Sequence, residues 1–472
     1  MDKESRNPVQ LELELFPQVA TELQEVERVA ESIEKKQEER PSIRPEVYER
    51  TLDFIADKGN LVSAFQKVAQ KGGSGGVDGM ESKELMKWLN ENMDTLQKSI
   101  MEGTFKPMPV RRVEIPKDNG KTRKLGIPTL IDRGVQMAIC QVLSTIYEPT
   151  FNDNSFGFRP HRSAHDALKK CLEYANEGYE WVVDMDLEKY FDTVPQSKLL
   201  ELISRTVKDG RVISLLYKFL KSGVMEFGRL MPTDDGVPQG GPLSPLLGNI
   251  MLNECDKELE RRGLRFVRYA DDMMIFCRTE RSATRVMESI TRFIEKKLKL
   301  KVNREKTVVR RITSNVKFLG HGFWKTNGQV KLKIHPKSME KLKTSLKELL
   351  KRNNPLSFAE IKTKLKQKVE GWVRYFRHAN ARRGLQRIDA WMRHKIRCLI
   401  FTRSWRPRSR YAIFVKYCNV SHEDAVRVAN ARQGVWAFSK HWQVQRWMSK
   451  ELLCRAGYVS LLGTYDRMFV GV

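Results

Sequence analysis

The sequence predicts an α+β chain in which strands and helices mix over the first two-thirds, while the last third is helical and strongly basic. Three observations carry this. Two apolar runs, Leu264-Arg265-Phe266-Val267-Arg268 and Met273-Met274-Ile275-Phe276-Cys277, flank Tyr269-Ala270-Asp271-Asp272 in the pattern of a β-hairpin tipped by adjacent carboxylates. Glu180-Trp181-Val182-Val183-Asp184-Met185-Asp186 reads as another strand, with Asp184 and Asp186 on one face by the two-residue period. Beyond Pro336 the pattern turns helical, and Lys337, Lys341, Lys343, Lys347 and Lys351 load it with positive charge.

At 472 residues and 54.9 kDa the chain has room for two to four domains, each with a core of its own. A formal charge of +27 and a pI near 9.8 ask for a polyanionic partner, because such an excess of Lys and Arg repels itself until phosphate neutralises it. No apolar run reaches the roughly 18 to 20 residues that span a bilayer, and the N-terminus has neither a signal-peptide core nor an acid-poor, Arg-rich leader. Nucleic acid is therefore favoured over membrane, and the chain reads as soluble and cytoplasmic, nucleoid-associated in a bacterium. The seven cysteines are odd in number and scattered, which excludes a disulfide framework or a CxxC zinc module. His161 and His165, four apart at an expected helix start, could share a face; they read as structural or phosphate-contacting.

Taken in order, residues 1–50 hold thirteen Asp or Glu against eight Lys or Arg. Leu23, Val26, Ala30 and Ile33 form a helical stripe ahead of Pro41, so this extension is either a short docked helix or a disordered acidic tail. A helix is expected over 51–71, with Asn60 capping Leu61-Val62-Ser63-Ala64-Phe65. Gly72-Gly73-Ser74-Gly75-Gly76-Val77-Asp78-Gly79 is a loop that lets backbone approach backbone or phosphate; it lacks the Gly-Lys-Ser/Thr ending of a P-loop, which argues against ATP. Arg111 to Pro128 reads as a hairpin around Asp118-Asn119-Gly120, with Lys117 and Arg123 beside the turn, either presenting charge together or simply solvated. The acids closing the strand 180–186 suit a cap for the following helix or a rigidly held metal ligand. Gly236-Val237-Pro238-Gln239-Gly240-Gly241-Pro242 makes a tight lead-in to an apolar helix around Leu246–Leu252, its backbone free to lie close to a flat ligand.

The adjacent acids Asp271 and Asp272 repel each other, and a pair of hard divalent ions is the simplest thing to hold them, although an Asp-Asp turn standing alone is more often just solvated. In the last third, Trp372, Tyr375, Phe376, Trp391, Trp405, Trp436, Trp442 and Trp447 interleave with Arg374, Arg377, Arg382, Arg383, Arg393, Arg406, Arg408 and Arg410. Such a mixture stacks on bases and clamps phosphates, with some of the rings serving as core.

In their order, Val77-Asp78-Gly79, Val113-Glu114-Ile115-Pro116, Ser155-Phe156-Gly157-Phe158-Arg159-Pro160, Asp184 to Asp192, Pro238-Gln239-Gly240-Gly241, Tyr269-Ala270-Asp271-Asp272, Asn303 to Lys306 and Phe318-Leu319-Gly320-His321-Gly322-Phe323 give the chain its resemblance. Over 51–472 it resembles the reverse transcriptases encoded by mobile group II introns. The resemblance implies a right-hand polymerase: an N-terminal extension and fingers over 51–180, a palm with an antiparallel sheet over 181–335, a helical thumb or maturase domain over 336–400, and a C-terminal nucleic-acid-binding domain over 401–472. It implies RNA-directed DNA synthesis on dNTPs, with an RNA template, a DNA primer or target, and the intron RNA as partners.

Residue by residue, Asp186 matches the first palm aspartate, since the family places a bulky gate residue five positions on and Phe191 stands there. Asp184 is then a neighbour. Asp271 and Asp272 match the second acidic pair, and with the Leu187 carbonyl these acids would hold two magnesium ions. Phe191 would crowd a ribose 2′-hydroxyl. Lys117 and Arg123 match the triphosphate-binding pair, Gln239 the nucleotide-pocket glutamine, and Lys306 a palm lysine that assists pyrophosphate departure. The segment 318–323 resembles the primer-grip hairpin, and Arg374, Arg377, Arg382 and Arg383 fall in the RNA-binding region. Two departures stand out. The sequence stops at Val472 without the Cys- and His-rich endonuclease module of many relatives, which suggests the smaller class C type or a relative that has left its intron. The acidic first 50 residues match nothing in the family, which leaves a host-adopted role in DNA repair, CRISPR spacer acquisition or phage defence open beside splicing and retrohoming. A pure splicing chaperone is disfavoured, because it has no need of three placed acids.

Overall fold

A computed structural model describes residues 46–116 and 122–469 of the chain. The stripe at 23–33, Lys117 and the Asp118-Asn119-Gly120 turn lie outside the described residues, as does the side chain of Arg123. In one sheet, β1 (Val110–Pro116) pairs antiparallel with β2 (Thr122–Ile127) and parallel with β4 (Val224–Glu226), which turns back into β5 (Arg229–Met231); the order is β2-β1-β4-β5. A second, wholly antiparallel sheet sets β3 (Trp181–Met185) between β7 (Asp272–Cys277) and β8 (Val308–Arg311), with β6 (Arg265–Tyr269) outside β7. A separate hairpin joins β9 (His321–Thr326) to β10 (Gln329–Ile334).

The central sheet is covered on both faces, which is why its strands read as nearly unbroken apolar runs. Val183, Met185 and Ile275 enter the larger core with the helices Lys58–Lys71, Leu130–Tyr147 and Ser244–Arg261. Val182, Met274 and Phe276 face the other way, onto Leu168, Phe318, Phe323 and Phe376. Among the described residues, helices alone follow β10. Ile361, Leu365, Val369 and Val373 recur every fourth residue along Phe358–Phe376, whose start is fixed by a reciprocal Ser357–Glu360 cap, and they share one core with Leu385, Phe401, Phe414, Phe438 and Leu461. The buried Asp389 ties the last helix to this core by accepting from Leu461 N at 2.7 Å. These elements form an α+β fold built on the antiparallel central sheet and followed by a helical C-terminal region.

Three local expectations are corrected. The helix over 51–71 is two helices, Thr51–Ile55 and Lys58–Lys71, and the cap of the second is Asp57, not Asn60. The Asp57 carboxylate captures Asn60 N at 3.0 Å, while the Asn60 amide turns inward to Ile55 O and Ala138 O. His161 and His165 share no helix face, because Ser163 and Asp166 form a capping box that starts the helix at Ala164 and leaves His161 in a left-handed turn. The segment 318–323 is not itself a hairpin: Phe318 and His321 close a tight turn that leads into β9, and the hairpin is β9–β10.

Arg268, in β6, is fully buried and binds outward in four directions. It donates to both oxygens of Asp256 (2.8 and 3.0 Å), to Asn249 Oδ1 (2.9 Å) and to Ala270 O (3.0 Å). Asn249 and Asp256 lie two turns apart on Ser244–Arg261, and Asn249 passes the connection on by donating to Gly157 O at 2.8 Å. The Arg268 backbone is held as well, accepting from Phe156 N and donating to Asn154 O, both at 2.9 Å. A buried ion pair with its hydrogen bonds filled adds little net stability over an apolar pair, but breaking one side strands a charge and costs about 3 to 5 kcal/mol. Arg268→Met should therefore lower the urea midpoint sharply, and Arg268→Met with Asp256→Leu should recover much of the loss. A double variant as unstable as the single one would contradict this account.

Candidate active site and nucleic-acid interface

Strand register brings the sequence-distant acids together. Met185 of β3 pairs with Met273 of β7, so Asp186, one residue past β3, falls beside Asp272, the first residue of β7. Asp271 sits in the two-residue turn between Tyr269 and Asp272, after Ala270 with φ of 58°. Gly157 packs on this turn so closely that a Cβ there would lie 2.2 Å from Ala270 N. Asp186 is held from its backbone, whose carbonyl accepts from Asn303 N (2.9 Å) and whose amide donates to the Thr307 hydroxyl oxygen (3.2 Å). Leu187 meets Val302 as a non-hydrogen-bonded pair, flanked by Asn303 N to Asp186 O and Glu188 N to Lys301 O, so its own carbonyl points away from that partner.

The acids crowd one another. Asp272 is an exposed residue, yet the surrounding protein displaces enough water from its carboxyl to push it up to about 6, and Asp271, Asp184 and Asp186 push the same way. Asp184, half-buried on β3, is raised to about 6 by burial, with Asp186 adding to the rise and Arg310 opposing it. Lys306 Nζ lies 3.2 Å from both Asp186 oxygens and supplies a local counter-charge. Among the described residues no three acid, histidine or cysteine side chains form a ready-made metal cage. The donors are nonetheless all hard carboxylate oxygens under mutual repulsion, which suits magnesium.

The residues expected to line the nucleotide pocket are joined to one another by backbone and side-chain contacts. Phe191 is half-buried, its ring edge-on to Tyr190 at 5.1 Å and backed by Gly248 of Ser244–Arg261. Its carbonyl accepts from Val237 N at 2.7 Å, fixing the Pro-Gln-Gly-Gly segment. Gln239 reaches Asp192 Oδ1 at 3.3 Å, and its carbonyl accepts from Gly126 N of β2 at 2.7 Å. Gly240, with φ of 128°, lies so near β2 that a Cβ would sit 2.4 Å from Gly126 O. In the glycine-rich loop, Gly76 packs on the Thr129 backbone, so that loop meets protein backbone.

Arg374, Arg382 and Arg383 are exposed and Arg377 is half-exposed; Arg382 pairs with Asp466 at 3.3 Å, and Arg377 donates to His378 at 3.2 Å. Some interleaved residues are structural. Arg410 is buried between the Trp405 and Phe438 rings, and Phe376 belongs to the core. Others stay open. Trp442 is 63% exposed, and Trp436 gathers Lys395, Lys440 and Arg352 around its ring at 4.8, 5.2 and 5.9 Å. Sequence reasoning missed Arg268, Asn249 and Asp256; their signal was polar side chains inside an apolar strand and helix.

Residues 115–323 match the reverse transcriptase (RNA-dependent DNA polymerase) family, and residues 339–418 match the group II intron, maturase-specific domain. Protein YkfC of Escherichia coli is 35% identical over 60% of this chain and 84% of its own length. The group II intron-encoded protein LtrA of Lactococcus lactis is 31% identical over 63% of this chain and 61% of its own. The chain belongs to the group II intron-encoded family of reverse transcriptases, with the polymerase domain followed by the maturase-specific one. A telomerase structure from Candida albicans aligns at 15% identity over 70% of this chain and 65% of its own, with a TM-score of 0.38, too low to bear on the argument. Among the described residues no helix is long and apolar enough to cross a membrane.

The raised Asp184 gives a pH prediction. Its folded value near 6 exceeds the ordinary 3.8, so between these values the folded state binds more protons and stability falls as pH rises. Asp184→Asn removes that penalty. Its melting temperature should exceed wild type at pH 8, with the gain disappearing as pH falls below 4. A gain of equal size at pH 8 and pH 4, read by scanning calorimetry, would exclude this cause.

Proposed function

We propose that the protein is an RNA-directed DNA polymerase that also binds its group II intron RNA as a maturase, supporting splicing and retrohoming. The β3–β7 register, which sets Asp186 beside Asp272 and Asp271, carries the polymerase reading. Two magnesium ions, held when bound by Asp186, Asp271, Asp272 and the Leu187 carbonyl, supply activation of the primer 3′-hydroxyl and charge relief at the leaving pyrophosphate. Phe191, pinned by Tyr190 and Gly248, excludes a 2′-hydroxyl and so selects deoxynucleotides. Gln239 lines the nucleotide pocket, Lys117 and Arg123 hold the triphosphate, and Lys306, released from Asp186, accompanies the pyrophosphate. The proposed boundaries are an acidic extension to 50, fingers to 180, palm to 335, thumb or maturase domain to 400 and a nucleic-acid-binding domain beyond, although the helix Arg382–Arg403 runs across 400 and the last two regions share one core. The cytoplasm, at the nucleoid, is the proposed place of work.

Asp271→Ala should lower extension of a DNA primer on RNA by at least about a hundredfold, the scale of removing one essential charge stabiliser. Comparable extension by the variant would sink the assignment, and an unchanged preference for dNTPs over rNTPs in Phe191→Val would sink the gate. For the RNA grip, each neutralised phosphate contact adds about 0.7 to 0.9 to the slope of log affinity on log salt. Replacing Arg374, Arg377, Arg382 and Arg383 together by Ala should flatten that slope and weaken binding of structured RNA. If the folded quadruple variant keeps both slope and affinity in filter binding, the grip lies elsewhere.

A further inference from the structure

The hairpin β4–β5 ends in a two-residue turn, Phe227-Gly228, with φ of 50° and 76°. Both values belong to a type I′ turn, which favours Asn-Gly or Gly-Gly because a bulky side chain at positive φ is strained. Here a phenylalanine takes the first place, and its side chain is 99% exposed. Water gains nothing from that ring and the backbone is strained by it, so the fold does not account for it. Strain of this kind is retained where a site uses it.

The hairpin's position says what it meets. β1 and β4 run parallel, with Arg111 beside Met225, so the β1–β2 hairpin and the Phe227 turn point the same way from one sheet. The other end of that sheet is bonded to the proposed nucleotide pocket through Gly126 N and Gln239 O. With strands about 4.8 Å apart, β4 and β5 stand roughly 10 to 14 Å beyond β2, the length of about three or four nucleotides. On the face carrying Met225, Ile115 and Leu230 are 46% and 58% exposed, while Glu226 and Lys124 pair on the opposite face. That face thus carries Ile115, Met225 and Leu230, with Arg111 among them, outward from the pocket and ends in an exposed ring.

We propose that Phe227 is a wedge for the incoming template: its ring stacks on the first base pair of a downstream duplex and opens it, and the Ile115–Leu230 surface receives the freed template bases. Apolar side chains part base steps in this way, and an aromatic ring stacks on any base, so the wedge is indifferent to sequence. The activity is strand displacement during copying, and it rests on the polymerase reading above.

The test copies two RNA templates with the full chain, one bare ahead of the primer and one carrying an annealed downstream strand. Wild type should copy both. Phe227→Ala and Phe227→Asn should copy the bare template within about twofold of wild type and slow about tenfold through the duplex, the scale of one lost stacking contact, while Phe227→Trp keeps displacement. Phe227→Asn suits the turn better, so its melting temperature should equal or exceed wild type, which separates loss of the wedge from damage to the fold. Equal rates for wild type and variants through the duplex overturn the proposal, and so does an equal slowing on both templates. A wild type that copies bare RNA but stalls at the duplex overturns the wedge alone, whereas one that copies neither template overturns the polymerase reading first. Sedimentation showing that Phe227 instead joins two copies of the chain also overturns it.

Discussion

The buried pair of Arg268 and Asp256 is the constraint on which the catalytic geometry depends. A guanidinium with no solvent access must fill its donors from protein, and here they reach the helix Ser244–Arg261 and the carbonyl of Ala270. Its backbone binds the 154–156 segment. The acid-bearing turn is thus fixed to a helix, a strand and a loop at once. This answers a problem that the acids create, since Asp271 and Asp272 repel and a loosely held turn would splay. Rigidity here comes from a polar network inside the core, where partial satisfaction would be costly and full satisfaction makes the arrangement specific.

The central sheet supplies the other half of the site. Because β3 and β7 are buried on both faces, a slip of one residue would exchange their side chains between two cores that are each packed around a different set. The register that keeps Val182 and Val183 in their separate cores is the one that sets Asp186 beside Asp272. Packing and chemistry are therefore specified by the same pairing, and Lys306 answers the remaining charge from the segment before β8.

Much of this was legible in the residues. The β6–β7 hairpin, the cationic β1–β2 strands, β3 with its closing acids and the helical last third all follow from local periodicity, which is a property of short windows. What escaped was decided by distant partners or by competing caps. Asn60 has the chemistry of a helix cap, but Asp57 three residues earlier takes its amide, and the choice depends on Ala138 as well. Arg268 reads as an ordinary charge on a strand edge until Asp256 and Asn249 are placed beside it. The exposed Phe227 likewise carries no periodic signal. Of the aromatic and arginine residues in the last third, sequence could not separate Arg410, enclosed by rings, from the open Trp436 with its three cations.

The contact between Gly157 and Ala270 bears on how this chain can vary over time. With no room for even a methyl group at 157, no neutral route of small steps leads away from glycine there. The chain is thus constrained at a point that bears no reactive group, since a single carbon added there would press on the Ala270 backbone and displace the turn that carries Asp271.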